Sequence, residues 1–318
     1  MRVLVTGGAG FIGSNYLHYH LENRPGDEIT VLDALTYSGN RANIAGLGLG
    51  FIERRIEDKN LVDLLFKKHK FDWVINFAAE THVDRSIRDP SLFMLSNVVG
   101  TQVLLDAAVK YEVKRFHQIS TDEVYGDLGF GSKGKFKESS PLRPSSPYSA
   151  TKAAADLLCL AYARTFGAPV TISRCSNNYG AFQSHENFIP KVITRVKKNE
   201  AIPVYGKGEN IRDWLYVRDH CEAVLLIMEK GETGEIYNIG GKCEVKNIEV
   251  VNKILKIMAG KRDLIEFVED RKGHDQRYAV DFSKIKSELG WSPKTDFEEG
   301  LRDTWDYFVK DYFAGSRR

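Results

Sequence analysis

The segment Gly7-Gly8-Ala9-Gly10-Phe11-Ile12-Gly13 restricts this chain more than any other, because it joins the apolar run Arg2 to Thr6 to an amphipathic stretch beginning at Phe11. It contains GxGxxG from Gly8 and GxxGxxG from Gly7. Glycines in a strand-to-helix turn allow a tight bend and bring backbone N–H groups up to a pyrophosphate, which the helix N-terminus then favours. A glycine turn by itself could also merely close a strand-helix unit. Asp33 narrows the choice: it ends the next apolar run about 20 residues on, where a ribose 2′-hydroxyl needs an acceptor. An acid there also repels the extra phosphate of NADP, so the expected cofactor is NAD.

Through the first half, short apolar runs alternate with longer amphipathic stretches. Strands are predicted at Arg2 to Thr6, Glu28 to Leu32, Gly50 to Glu53, Trp73 to Phe77, Phe116 to Ser120 and Val170 to Arg174. Helices are predicted at Phe11 to Leu21, Leu61 to His69, Asp84 to Tyr111 and Pro147 to Phe166. This is the pattern of an α/β fold, a doubly wound parallel sheet of Rossmann type with right-handed crossovers. After about Ser176 the alternation gives way to Asn-, Gly- and Pro-rich loops with helical stretches at Phe188 to Lys198 and Arg218 to Lys230, which reads as a smaller, interleaved lobe. Gly126 to Pro144 is polar and aperiodic, and is expected to be a mobile surface loop.

A chain of 318 residues, 42% hydrophobic, can bury one large core and a second small one. Its net charge of +2 marks neither nucleic acid nor an anionic membrane as a partner. Cys159, Cys175, Cys221 and Cys243 show no metal-site or redox spacing and read as reduced, packed thiols. Neither a signal-peptide core nor an apolar run long enough to cross a bilayer stands out, so the expected location is cytoplasmic.

Two further groups carry chemistry. Ser146-Pro147-Tyr148-Ser149-Ala150-Thr151-Lys152 starts a helix, with Ser146 as N-cap and Pro147 at the first helical position. Tyr148 and Lys152, at i and i+4, then share one face, where the ammonium can lie near the phenol or reach a ribose. A tyrosine titrates near ~10, so acting as a base at neutral pH requires a shift of roughly 3 units, which a lysine and a cationic nicotinamide can supply. The second group, Thr121-Asp122-Glu123, follows the fifth predicted strand, at the sheet end where ligands bind. Its two carboxyls can become one acid and one base if their surroundings push their pKa values apart, although the same three residues also suit a plain turn.

These motifs together resemble the extended short-chain dehydrogenase/reductase superfamily and, within it, the dTDP-glucose 4,6-dehydratases. The resemblance runs over nearly the whole chain and is carried by Thr6 to Asn15, Asp33 to Asn40, Asn76 to Ser86, Ser120 to Gly126, Tyr148 to Lys152, Arg174 to Gly180, Arg212-Asp213-Trp214 and Arg271 to Asp275. It implies that Tyr148 takes the sugar 4-hydroxyl proton while NAD takes the hydride from carbon 4. Lys152 holds the nicotinamide ribose and Thr121 bonds the sugar oxygen. Glu123 then removes the carbon-5 proton, Asp122 protonates the departing 6-hydroxyl, and the hydride returns to carbon 6 without any metal.

The same resemblance places Gly7, Gly10, Phe11, Ile12, Gly13, Asp33, Thr36 and Ala78 at the cofactor, and Thr81, Asn177, Asn187, Arg212, Asn247 and Arg271 at the nucleotide sugar. It implies an NAD domain of residues 1–175, with about 212–240 returning to it, and a nucleotide-sugar lobe of 176–211 and 241–318. It also implies a homodimer paired through the helices near Asp84 to Tyr111 and Pro147 to Phe166. The chain departs from the family in three places. Arg54-Arg55 stands where Gly-Asp is usual, Asn187 where Lys is usual, and Ala181 where Pro is usual. Thymidine and uridine remain open as the base. Rival readings are a nucleotide-sugar epimerase, a uronate decarboxylase, a dehydratase of GDP-mannose or a UDP-sugar, and a non-catalytic NAD sensor. The Asp122-Glu123 pair favours water loss, because a 4-epimerase needs no acid at carbon 6 and a decarboxylase has no hydroxyl there to expel.

Overall fold

The computed structural model describes residues 1–259, 262–270 and 273–312. Seven strands form one parallel sheet: β1 (Arg2–Thr6), β2 (Glu28–Asp33), β3 (Gly50–Glu53), β4 (Trp73–Asn76), β5 (Arg115–Thr121), β6 (Val170–Cys175) and a last strand, Ile236–Ile239. Their order is β3-β2-β1-β4-β5-β6 followed by Ile236–Ile239, so the winding reverses between β1 and β4. A crevice opens at such a reversal, at the carboxyl ends of the strands.

Alternation along β1 shows why the sheet is covered on both sides. Val3 and Val5 face one layer, with Tyr16 and Leu17 of the Phe11–Asn23 helix and Cys221 and Val224 of the Val217–Lys230 helix. Leu4 faces the other, with Phe66, Leu104 and Cys159. All four cysteines are free thiols. A separate core of Ile189, Trp214, Val250 and Leu301 holds the second lobe together. That lobe contains a three-stranded sheet (Asn177–Tyr179, Ile211–Tyr216, Glu244–Lys246) and a parallel pair, Ile202–Tyr205 with Ile265–Val268.

The strands lie within a residue or so of their predicted positions, but Ile236–Ile239 was not among them. The helix predicted from Asp84 to Tyr111 is in fact broken. Val83–Arg88 ends at Asp89, which is extended (φ −148°, ψ 105°) because Pro90 follows and disfavours a helical residue before it. The chain resumes as the helix Ser91–Lys110, whose Met94–Gly100 portion is π-helical. This helix is long and apolar enough to cross a membrane by length and composition, contrary to the sequence reading; its Leu104, Leu105 and Ala108 are spent on the core instead. The 126–144 segment is irregular, as expected, yet it is tied down. Phe136 exchanges backbone hydrogen bonds with Ala279 and Asp281, and Arg277 donates to the carbonyls of Ser132 and Gly134.

Candidate active site

The glycine turn packs so closely on β4's end that no side chain fits at its first residue. Gly7 has φ +66°, and a Cβ on it would lie 2.6 Å from the Ala78 nitrogen. On Gly13 a Cβ would lie 2.3 Å from the Gly7 carbonyl oxygen. This is a cradle that only glycine leaves open, and it fits a dinucleotide pyrophosphate. At the end of β2, Asp33 accepts hydrogen bonds from the backbone N–H of Ala9 (2.9 Å) and of Leu35 (2.8 Å). Each carboxylate oxygen keeps a lone pair for a ribose hydroxyl. Burial raises this carboxyl's pKa despite the two donors.

On the other side of the reversal, Ser146 and Ser149 form a reciprocal capping box that starts the Pro147–Phe166 helix, and the Tyr148 nitrogen donates to Ser86 Oγ at 3.1 Å. The start of this helix is thereby tied to the Val83–Arg88 helix. Tyr148 and Lys152 lie on one helical face, both buried. Lys152 Nζ donates to the Ile119 carbonyl at 2.6 Å, and burial lowers its pKa. The Thr121 hydroxyl is a hydrogen-bond partner of the Tyr148 phenol. Burial, then the Glu123 charge, pushes that phenol well above the ordinary tyrosine range, so in the chain alone Tyr148 is neutral.

Asp122 and Glu123 open a 3-10 turn at the end of β5, and their surroundings differ. Asp122 is 1% exposed and its Oδ2 has no hydrogen-bond partner, whereas Glu123 is only half-buried. Burial, followed by the charges of Glu123 and Asp213, drives the Asp122 pKa far upward. Asp122 is thereby held toward its protonated form beside a less buried carboxyl, the kind of difference a site needs when it must both give and take a proton.

All these groups line one cleft of about 500 Å³, a size suited to a cofactor with its substrate. The structure brings together Gly7, Gly10, Phe11, Ile12, Gly13, Asp33, Thr36, Ala78, Thr81, Thr121, Asp122, Glu123, Tyr148, Lys152, Asn177, Asn187, Arg212 and Asn247 along its walls. Arg271 lies outside the described residues. Arg212 donates to the carbonyls of Ile211 (2.9 Å) and Asp275 (3.0 Å) and lies over the Tyr278 ring, so its charge is held in place without a carboxylate ion pair among the described residues. Asn177 Oδ1 is buried without a hydrogen-bond partner.

Comparison with known proteins agrees with this geometry over almost the full length. A family profile described as GDP-mannose 4,6 dehydratase matches residues 4–304. The chain is 51% identical to the low-salt glycan biosynthesis protein Agl12 of Haloferax volcanii, covering 98% of this chain and 99% of that one. It is 50% identical to the dTDP-glucose 4,6-dehydratase of Mycolicibacterium smegmatis, covering 97% and 93%. Among solved structures it matches DesIV, the dTDP-glucose 4,6-dehydratase of Streptomyces venezuelae with NAD and TYD bound, at a TM-score of 0.94 and 44% identity, over 99% of this chain and 98% of that one. The chain belongs to the dTDP-glucose 4,6-dehydratases. Within that family, and within the extended short-chain dehydrogenase/reductase superfamily around it, the cleft has features that single-residue motifs did not reveal.

Arg54, Arg55 and Glu57 line the cleft beyond Asp33, over β3. Arg55 pairs with Glu57 at 3.3 Å, so at this end of a 4,6-dehydratase cleft an ion pair follows the strand where the family usually has Gly-Asp. Lys191 lines the cleft one helical turn after Asn187 in the Phe188–Lys198 helix. The i, i+4 spacing from Asn187 was the available signal for it. His82 and Arg85 both reach Glu186, at 3.2 and 3.1 Å, across a sequence gap that no local pattern bridges. Tyr278, also in the wall, carries no motif of its own.

Proposed function

We propose that this dehydratase converts dTDP-glucose to dTDP-4-keto-6-deoxyglucose, with NAD lying along the glycine turn and the sugar over Tyr148. The observation that carries the reading is the divided carboxyl pair, a buried Asp122 beside a half-buried Glu123, set against the Tyr148 phenol. NAD held by the glycine turn, Asp33 and Lys152 would supply the hydride acceptor for carbon 4 and the hydride donor for carbon 6. Everything else falls to the chain.

Tyr148 takes the 4-hydroxyl proton as the carbon-4 ketone forms, and Thr121 holds the sugar oxygen beside it. Lys152 lies one turn away and can hold the nicotinamide ribose while its positive charge favours the phenolate. The ketone acidifies the carbon-5 proton, which Glu123 removes. Asp122 gives its proton to the 6-hydroxyl, which leaves as water. Glu123 returns a proton to carbon 5 as carbon 6 is reduced, and Tyr148 then releases its proton to solvent while Asp122 takes one up, so the sum is loss of one water with the protein and the cofactor back in their starting states.

Gly7, Gly10, Phe11, Ile12, Gly13, Thr36, Asp33 and Ala78 serve the cofactor in this proposal. Thr81, Asn177, Asn187, Asn247, Arg212 and Arg271 serve the nucleotide sugar, with guanidinium groups suited to its pyrophosphate. Residues 1–175, with about 217–240, form the NAD domain in this proposal, and 176–216 with 241–318 the sugar lobe, because the Ile211–Tyr216 strand, expected to return to the NAD domain, lies in the lobe's three-stranded sheet. The chain works as a homodimer in the cytoplasm. Leu92, Met94, Leu95 and Val99 on one helix and Leu157 on the Pro147–Phe166 helix leave an exposed apolar surface suited to pairing with a second copy, and the four free thiols fit a reducing compartment. The test is incubation of the purified protein with dTDP-glucose and no added cofactor. Formation of a ketone with loss of one water supports the proposal; turnover of only a UDP- or GDP-sugar reassigns the substrate.

A further inference from the structure

Tyr148, Lys152 and Asp156 follow one another at four-residue spacing on the Pro147–Phe166 helix, and the third has no part in the reaction described above. Asp156 is completely buried, and its Oδ2 accepts from Arg174 Nε at 2.9 Å. Arg174, on β6, is 2% exposed. Its Nη1 donates to the Tyr125 hydroxyl at 3.0 Å, and its guanidinium carbon lies 4.9 Å from the Tyr125 ring centre. Tyr125 closes the 3-10 turn that Asp122 and Glu123 open, and it donates to Asn238 Oδ1 at 2.8 Å. Neither Asp156 nor Arg174 lines the cleft.

We infer that the buried Arg174–Asp156 pair is a strut that fixes the helix of Tyr148 and Lys152 against the turn of Asp122 and Glu123. A buried ion pair gains little stability over apolar residues of the same volume, so stability alone is a poor reason to keep one here. The strut joins the two groups that the chemistry uses in succession. The sugar is oxidised at the helix and loses water at the turn without leaving the site, and a shift of about 1 Å between them is enough to slow the second step. Asp156, Arg174 and Tyr125 are thus positioning residues. The inference rests on the proposed roles of Asp122 and Glu123.

The test is single-turnover kinetics of Tyr125→Phe and Arg174→Met with dTDP-glucose, following the ultraviolet absorbance of reduced nicotinamide and the ketone product separately. Tyr125→Phe removes the hydroxyl linking the strut to the turn, together with its bond to Asn238, and leaves the Arg174–Asp156 pair intact; it decides the matter if Arg174→Met does not fold. The expected result is cofactor reduction within about twofold of the parent, water loss slowed by about tenfold or more, and reduced nicotinamide accumulating in between. Product at the parent rate, or equal slowing of both steps, overturns the strut. If the parent chain itself forms no ketone from dTDP-glucose, the proposed function fails, and the strut fails with it.

Discussion

The Thr121 hydroxyl donates to Oδ1 of Asp122 at 3.3 Å, while Oδ2 of the same carboxyl is buried with no hydrogen-bond partner. A buried carboxyl with one open oxygen is stable only when it carries a proton, and that proton is what a departing hydroxyl needs. Asp122→Asn keeps the shape and removes the acid. It is expected to reduce cofactor normally on adding substrate and to slow ketone release by about 10²-fold, the ordinary worth of a positioned acid. Rapid-mixing measurement of reduced nicotinamide and product checks this, and parent-like release would remove Asp122 from the acid role.

Tyr148→Phe deletes the phenol oxygen and little else, because the ring remains packed against Phe93. Turnover is expected to fall by about 10³-fold, with NAD affinity within a few-fold of the parent. Steady-state rates together with the cofactor content of the purified variant measure both. Near-normal turnover would place the base elsewhere.

Arg212 is fixed by two carbonyls and the Tyr278 ring, so its charge is positioned before any ligand arrives. Arg212→Met is expected to weaken dTDP binding by about tenfold or more while leaving thymidine affinity unchanged, as loss of a phosphate contact requires. Calorimetry with both ligands tests this. Equal weakening of the two would mean that Arg212 shapes the base pocket instead.

Asp213 gives a pH dependence with a definite sign. It accepts from the Gly241 and Cys243 nitrogens, but burial lifts its pKa from 3.8 to about 6. Since the folded chain holds this proton more tightly than the unfolded chain, the group's contribution is complete below 3.8 and is lost as pH rises through about 6. The loss is worth about 3 kcal/mol. Asp213→Asn should remove it, so the variant's stability relative to the parent should rise between about pH 4 and about pH 7. Denaturant melts at both pH values measure the difference, and a constant difference would contradict the assignment.

How much of this was legible in the sequence depends on how local each signal was. β1 with its glycine turn, Asp33, and the Ser146 cap that presents Tyr148 and Lys152 are all set by neighbours within a few residues, and the structure has them where the pattern put them. Pro90 was visible, but the apolar period continuing on either side of it masked the break. Ile236–Ile239 is four residues long and becomes a strand only because β6 lies beside it. The meeting of Glu186 with His82 and Arg85, and that of Arg174 with Asp156 and Tyr125, depend on chain folding over long separations and leave no periodic trace.

The central claim is that one site oxidises carbon 4, expels water across carbons 5 and 6, and returns the same hydride to carbon 6. The most direct measurement is turnover of dTDP-glucose carrying deuterium at carbon 4, with the product's mass and label position determined. The account predicts a 4-keto product lighter by one water and carrying the deuterium at carbon 6. Loss of the label to solvent, or a product that keeps the water, would contradict it.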